Sequence, residues 1–193
     1  MKKLLAFFLM SFFILAGFNK TLAQDVSVTP QTTQLQMPSV TPSSNNTSVQ
    51  YDLPYPGILP DNPLYFLKAV RDNLLGFFIT DPLKKAEYDL LQANKRLVSA
   101  KGLLEEGKSD LAITTLSKSG NYFDQAISNA TQVKNQGQDA NPTLSNLLIA
   151  SEKHQEVIKD METKTKGEVK LSLRFAEERA HDFQERVSII LSQ

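Results

Sequence analysis

Three stretches of this chain repeat one spacing, and that spacing leaves little choice of fold. Leu83, Ala86, Leu90, Ala93, Leu97, Ala100 and Leu104 alternate steps of three and four residues. Ala112, Leu116, Ser119, Phe123, Ala126, Ala130 and Val133 do the same, as do Val169, Leu173, Ala176, Ala180, Phe183, Val187 and Ile190. Such steps return to one side of a 3.6-residue helix, whereas a half-buried strand needs alternation by two. Held over this length they are heptad seams of the coiled-coil kind, and the small residues recurring beside large ones let neighbouring helices approach closely. Leu147, Ala150, His154, Val157 and Met161 form a further stripe of the same kind.

The boundaries share one device. Asn62, Asp81 and Asn141 each stand directly before a proline, Pro63, Pro82 and Pro142. Each Asn or Asp is expected to cap a helix while the proline takes its first position, where a missing N–H is harmless. Gly107, Gly137 and Gly167 mark stops or corners, and short connections turn consecutive helices back on one another. The fold expected is all-α: an antiparallel bundle of about four long helices, with a shorter helix leading in at Leu64 to Ile79. The helix beginning at Pro82, at roughly 24 residues, would be about 36 Å long.

Ahead of that helix lies "LPYPGILPDNPLYFLK", residues 53–68. Pro54, Pro56 and Pro60 hold the backbone extended, so little freedom is lost when it docks. The reading adopted is a collar, with Tyr51, Leu53, Tyr55, Ile58 and Leu59 laid along grooves between helices. A free strap for a partner is the competing one, and on it Tyr55, Pro56, Tyr65 and Lys68 are the candidate interaction surface.

The N-terminus places Lys2 and Lys3 before an apolar run from Leu4 to Phe18, then a polar stretch ending at Ala23. This is the form of a secretory signal peptide (residues 1–23), with Gln24 expected to begin the exported chain. The apolar run reaches only about 22 Å as a helix, short of a hydrocarbon core of roughly 30 Å, which favours cleavage over a signal anchor. Residues 24–50 are rich in Ser, Thr, Gln, Pro and Asn and carry a single charge, Asp25. They have too little to bury and are expected to form a disordered spacer before a helical domain at 51–193. Loss of Lys2, Lys3 and Lys20 with the signal turns a formal net charge of zero into −3, which offers nothing to nucleic acid. The helix at Leu64 to Ile79 is interrupted by Lys68, Arg71 and Asp72, so no stable membrane insertion is expected after cleavage. The absence of cysteine excludes a lipid-modified cysteine, disulfides, a thiol nucleophile and thiolate metal ligands.

Motifs with chemistry are sparse. "EERAHDFQE" pairs Glu178 with His181 in the Glu-x-x-His form that di-iron bundles use. Such a centre needs the unit twice, with further carboxylates facing inward. The only other histidine, His154, has Ser151 three residues before it, and Ala180 and Phe183 on the seam turn Glu178 toward solvent. No cofactor, metal or catalytic residue is therefore expected. His154 is read as a core histidine rather than a pH sensor.

The segment "LPDNPLYFLKAVRD", followed by "DPLKKAEYDLLQANKRLVSAKGLLEEGK", resembles a bacterial family called domain of unknown function 5667. The residues that carry the likeness are Leu59, Pro60, Pro63, Leu64, Tyr65, Lys68, Ala93, Arg96, Leu97 and Gly107, over residues 53 to about 130. The resemblance implies an exported, mostly helical bacterial protein and supplies no reaction, ligand or catalytic residue. The function expected is a non-enzymatic interaction or scaffolding module of the cell envelope or secreted space with a protein partner there. An extracytoplasmic ligand- or metal-sensing protein, acting through Glu178 and His181 or through His154, is the alternative.

Overall fold

The computed structural model describes residues 48–193. The expected signal peptide and residues 24–47 of the expected spacer lie outside the described residues. Five helices and no strands make up the described part: α1 (Tyr65–Phe78), α2 (Pro82–Glu105), α3 (Ser109–Asn135), α4 (Asn141–Thr163) and α5 (Gly167–Ser192). None of them is long and apolar enough to cross a membrane.

The Asp-Pro start behaves as the sequence predicts, and the two Asn-Pro starts do not. Asp81 Oδ1 accepts the Leu83 and Lys84 amides at 2.9 and 3.4 Å, with Pro82 at the first position of α2. Asn62 instead closes a turn of its own, accepting the Leu64 amide at 2.8 Å, and α1 begins only at Tyr65. Asn141 is already inside α4, and Asp139 Oδ1 takes its amide at 3.0 Å. The helix thus starts one residue earlier than the Asn-Pro pair suggests: Ala140 takes the cap position, its carbonyl accepting the Leu144 amide at 2.9 Å, and Asp139 satisfies the first free amide of the turn.

At the end of α2, Gly107 (φ 77°) donates to the Leu104 carbonyl at 3.0 Å and Lys108 to that of Leu103 at 2.8 Å. Gly137 (φ 77°) and Gln138 repeat this pair on Lys134 and Val133 at the end of α3. These are the two bonds of a Schellman cap, which needs a left-handed residue and hence glycine.

The cross-helix contacts have an order. Ser119 Oγ donates to the Ala93 carbonyl and Asn129 Nδ2 to Asp89, so α2 and α3 pair in opposite chain directions. Gln155 with Gln184 and Glu162 with Arg174 do the same for α4 and α5. Between α3 and α5 the order is shared: Asn121 and Asp124 take Arg179, and Lys134 reaches the Ile190 carbonyl. The small seam residues make these approaches possible. A Cβ added at Gly120 would stand 2.8 Å from the Arg179 guanidinium.

The seams form the core. Ala86, Leu90, Ala93, Leu97 and Ala100 of α2, every seam member of α3, and Leu173, Ala180, Phe183 and Val187 of α5 are buried. Phe123 and Phe183 stack across it with centroids 4.8 Å apart. The expectation slips at the ends and edges: Leu83, Leu104, Val169, Ala176 and Ile190 are only half-buried, and Leu103, off the heptad, is fully covered. α2 is enclosed on a second side as well, where Gln92 and Ser99 are also buried. Asp89 has no exposure, and its carboxylate is held by Lys85 and by Asn129 at 3.0 Å. Burial raises its pKa against both partners.

Residues before α1 form a collar. Tyr51 and Leu53 pack on the core, and Leu59 lies against Gly102. Val49 donates its amide to Glu156 Oε2 at 2.7 Å, so the attachment begins ahead of Tyr51. Tyr55 and Ile58, expected in the grooves, instead face water. Leu53 and Tyr55, two residues apart, would share one side of a flat strand; since only Leu53 is covered, the segment does not keep strand geometry across Pro54.

Candidate functional site

The site with the most to offer a partner is a helix mounted the wrong way round. On a 3.6-residue wheel, Tyr65, Ala69, Asp72 and Gly76 fall on one side of α1, while Phe66, Leu67, Val70, Leu74, Phe77 and Phe78 fall on the other. An amphipathic helix normally buries its apolar stripe. Here the small and polar side meets α2, and Asp72 is the buried residue of the helix. Phe66, Phe77 and Phe78 are 70, 81 and 73 % exposed.

Polar contacts hold α1 in this pose. Tyr88 of α2 donates its hydroxyl to the Asp72 carbonyl. A Cβ at Gly76 would sit 3.0 Å from the Tyr88 ring, so glycine is what lets the two helices close. The Asp72 carboxylate pairs with Arg71 at 2.7 Å. Lys68 Nζ donates to the carbonyls of Pro56 and Ile58, at 2.6 and 3.2 Å, fastening α1 to the collar. Each large outward side chain forgoes the roughly 1.5–3 kcal/mol that burial would return.

The residues singled out from the sequence divide. Tyr55 is freely exposed, at 84 %. Pro56 and Tyr65 are half-buried, the carbonyl of the first being taken by Lys68 and the ring of the second lying 5.5 Å from the same ammonium. Lys68 is itself partly covered, and burial lowers its pKa. These residues join collar to helix. The outward face of α1 went unread because periodicity shows that a helix has two sides and not which one meets the core.

Glu178 and His181 both face solvent. His181 Nδ1 lies 3.8 Å from Glu185 Oε1, and among the described residues no three His, Cys, Asp or Glu side chains converge. His154 is buried at the centre, its Nε2 2.8 Å from Asn94 Oδ1. Asn94 Nδ2 donates to the Tyr51 hydroxyl at 2.7 Å, and with the amide in this orientation the imidazole proton sits on Nε2. The Phe123 ring meets the imidazole edge-on at 4.9 Å. Burial pushes the His154 pKa down to about 3, which favours the neutral ring at physiological pH. Beside it a cavity of about 210 Å³ opens between α3, α4 and α5, lined by Ile113, Leu116, Ser119, Phe175 and Arg179. It is smaller than the roughly 300 Å³ of the smallest usual ligand pockets, and the Arg179 charge at its edge is already met by Asp124.

Several of the residues behind the family resemblance turn out to hold the fold. Ala93 and Leu97 are core, Gly107 is a helix cap, Lys68 fastens α1, and the Arg96 guanidinium lies 4.1 Å over the Tyr122 ring. A family model described as Domain of unknown function (DUF5667) matches residues 57–168, more than half of the chain. The match takes in α1 through α4 and so runs past the limit of about residue 130 drawn from the motif residues. No curated protein and no solved structure matches the chain.

Proposed function

The chain belongs to the DUF5667 family, and from that premise we propose that it is an exported, non-enzymatic interaction module, with α1 as its docking element. In this reading the four long helices are an antiparallel bundle that serves as a rigid mount, and the collar fixes α1 on it. The observation that carries it is the outward apolar face of α1. The matched segment contains the collar from Gly57 on, α1 and the α2 face that supports it, so the docking element lies within the unit that defines the family.

A photo-crosslinking amino acid placed at Phe77, and as a control at exposed Lys118 of α3, tests the reading in the producing cell. Discrete protein adducts from position 77 and none from 118 are expected. No adduct at 77, or the same adducts at both positions, would refute it.

A further inference from the structure

We propose that the outer face of α1 is covered by the same face of a second copy of this chain, in an antiparallel helix pair about a two-fold axis. The inference rests on the reading of α1 as the docking element and names its occupant.

Two observations carry it. The first is area. Phe66, Leu67, Val70, Leu74, Phe77 and Phe78 are 70, 62, 41, 54, 81 and 73 % exposed. At about 200 Å² for a whole Phe and somewhat less for the aliphatics, they present on the order of 700 Å² of apolar surface. The largest patch on a typical monomer is about 300–600 Å², and a standard interface takes about 800 Å² from each partner.

The second is order along the helix. About residue 72 the face is a palindrome in position: 66 mirrors 78, 67 mirrors 77 and 70 mirrors 74. A two-fold interface is isologous, so whatever residue i meets on the partner must meet i in return. Laid antiparallel about residue 72, the Phe66 and Leu67 pair of one copy lies against the Phe77 and Phe78 pair of the other, and Val70 lies against Leu74. Bulky residues fall at both ends and smaller ones at the crossing point, where two helix axes come closest. Arg71, which borders the face, is already paired with Asp72 at 2.7 Å, so the two copies do not bring bare like charges together. Ordinary interfaces carry about one hydrogen bond per 100–200 Å². None of these six side chains has a polar atom, a composition suited to the more apolar homodimer class.

The chain's lack of cysteine gives a register-specific test. Full-length chains carrying Phe66→Cys alone and Phe77→Cys alone are each oxidised separately, and a reduced mixture of the two is oxidised in parallel. The pairing sets position 66 against 77 of the partner but holds 66 about 18 Å along the axis from its own counterpart, beyond the roughly 7 Å between Cα atoms that a disulfide can span. Disulfide-linked dimers in the mixture and not in either pure sample support the proposal. Homodimers from either variant alone overturn it. Sedimentation equilibrium from low to several hundred micromolar should show a dimer for the unsubstituted chain, weakened at least about 100-fold by Phe77→Asp and unchanged by Phe175→Asp, an exposed apolar site on α5. A monomer throughout overturns the dimer. If that monomer sediments with vesicles of phosphatidylglycerol and phosphatidylethanolamine, the face meets a bilayer instead. If it still gives adducts to another protein from position 77 in cells, the docking reading stands without the dimer. If it does neither, both readings fall.

Discussion

Removing the collar should weaken the fold even though no helix residue is lost. The comparison is between a chain starting at Ser48 and one starting at Asp61. Tyr51 and Leu53 are half-buried against the core. At about 1.5–3 kcal/mol for a fully buried large side chain, the two together forfeit about 2 kcal/mol. Asn94 Nδ2 loses the Tyr51 hydroxyl it reaches at 2.7 Å, and with water entering the vacated groove this costs about 1 kcal/mol. Lys68 loses its acceptors at Pro56 and Ile58, a partly solvated loss of at most a further 1 kcal/mol or so. The sum, about 3–4 kcal/mol, is a large part of the 5–15 kcal/mol that holds a typical domain. Urea unfolding followed by circular dichroism at the helix band would read it as a lower midpoint. A Tyr51→Phe chain isolates the hydroxyl and should lose only about 1 kcal/mol of it. Equal midpoints for the Ser48 and Asp61 chains would refute the argument and return the segment to the role of a free strap.

Other perturbations probe other parts of the fold. Leu97→Ala, at a fully buried seam position, should cost about 2–5 kcal/mol by lost transfer energy plus cavity, while Glu105→Ala on the exposed side should stay within about 0.5; both are read from thermal or urea midpoints. Gly107→Ala meets no atom within 4 Å but keeps φ at 77°, so its cost, about 1 kcal/mol, is conformational alone, and a value near zero would mean the corner can rearrange. His154 gives a pH dependence of definite sign. Its folded pKa of about 3 lies below the ordinary 6.5, so the unfolded chain takes the proton first, and stability present above pH 6.5 is lost as pH falls toward 3. Between pH 7 and pH 5 this one ring should remove about 2 kcal/mol. His154→Gln should flatten the difference between those two pH values whatever it does to the overall level, and an unchanged slope would show that other groups set it.

What the sequence discloses is whatever depends on near neighbours in the chain. The Asp81-Pro82 start, the caps at Gly107 and Gly137 and the spacing of Leu90 through Ala100 are local, and the structure bears them out. The burial of His154 follows from its place in the Leu147 to Met161 stripe. Errors arise where a second element intervenes. Leu103 is covered in preference to Leu104 because α2 is enclosed on more than one side. Asn141 is drawn inside α4, its own amide taken by Asp139 two residues away. The outward face of α1 lies furthest from sequence reasoning. Its amphipathicity is visible in the order of Phe66, Val70, Leu74 and Phe77, but its orientation depends on Tyr88 and Gly76 meeting from different helices.

The polar chain from Tyr51 through Asn94 to His154 does more than satisfy its own members. Leu90, Ala93, Leu97 and Ala100 repeat Leu and Ala each heptad, so sliding α2 by one heptad, about 10 Å, would put Leu where Leu was and Ala where Ala was. Packing alone discriminates poorly between such alignments. With Asn94 displaced, the imidazole and the amide would be buried with no partner, at about 1–3 kcal/mol for each stranded group, so the misaligned bundle is penalised even where its apolar contacts are nearly as good. A single buried polar position can set the register of a coiled coil in this way. Here one of the three participants, Tyr51, lies outside every helix, so the alignment of two helices is selected in part by the chain that precedes them.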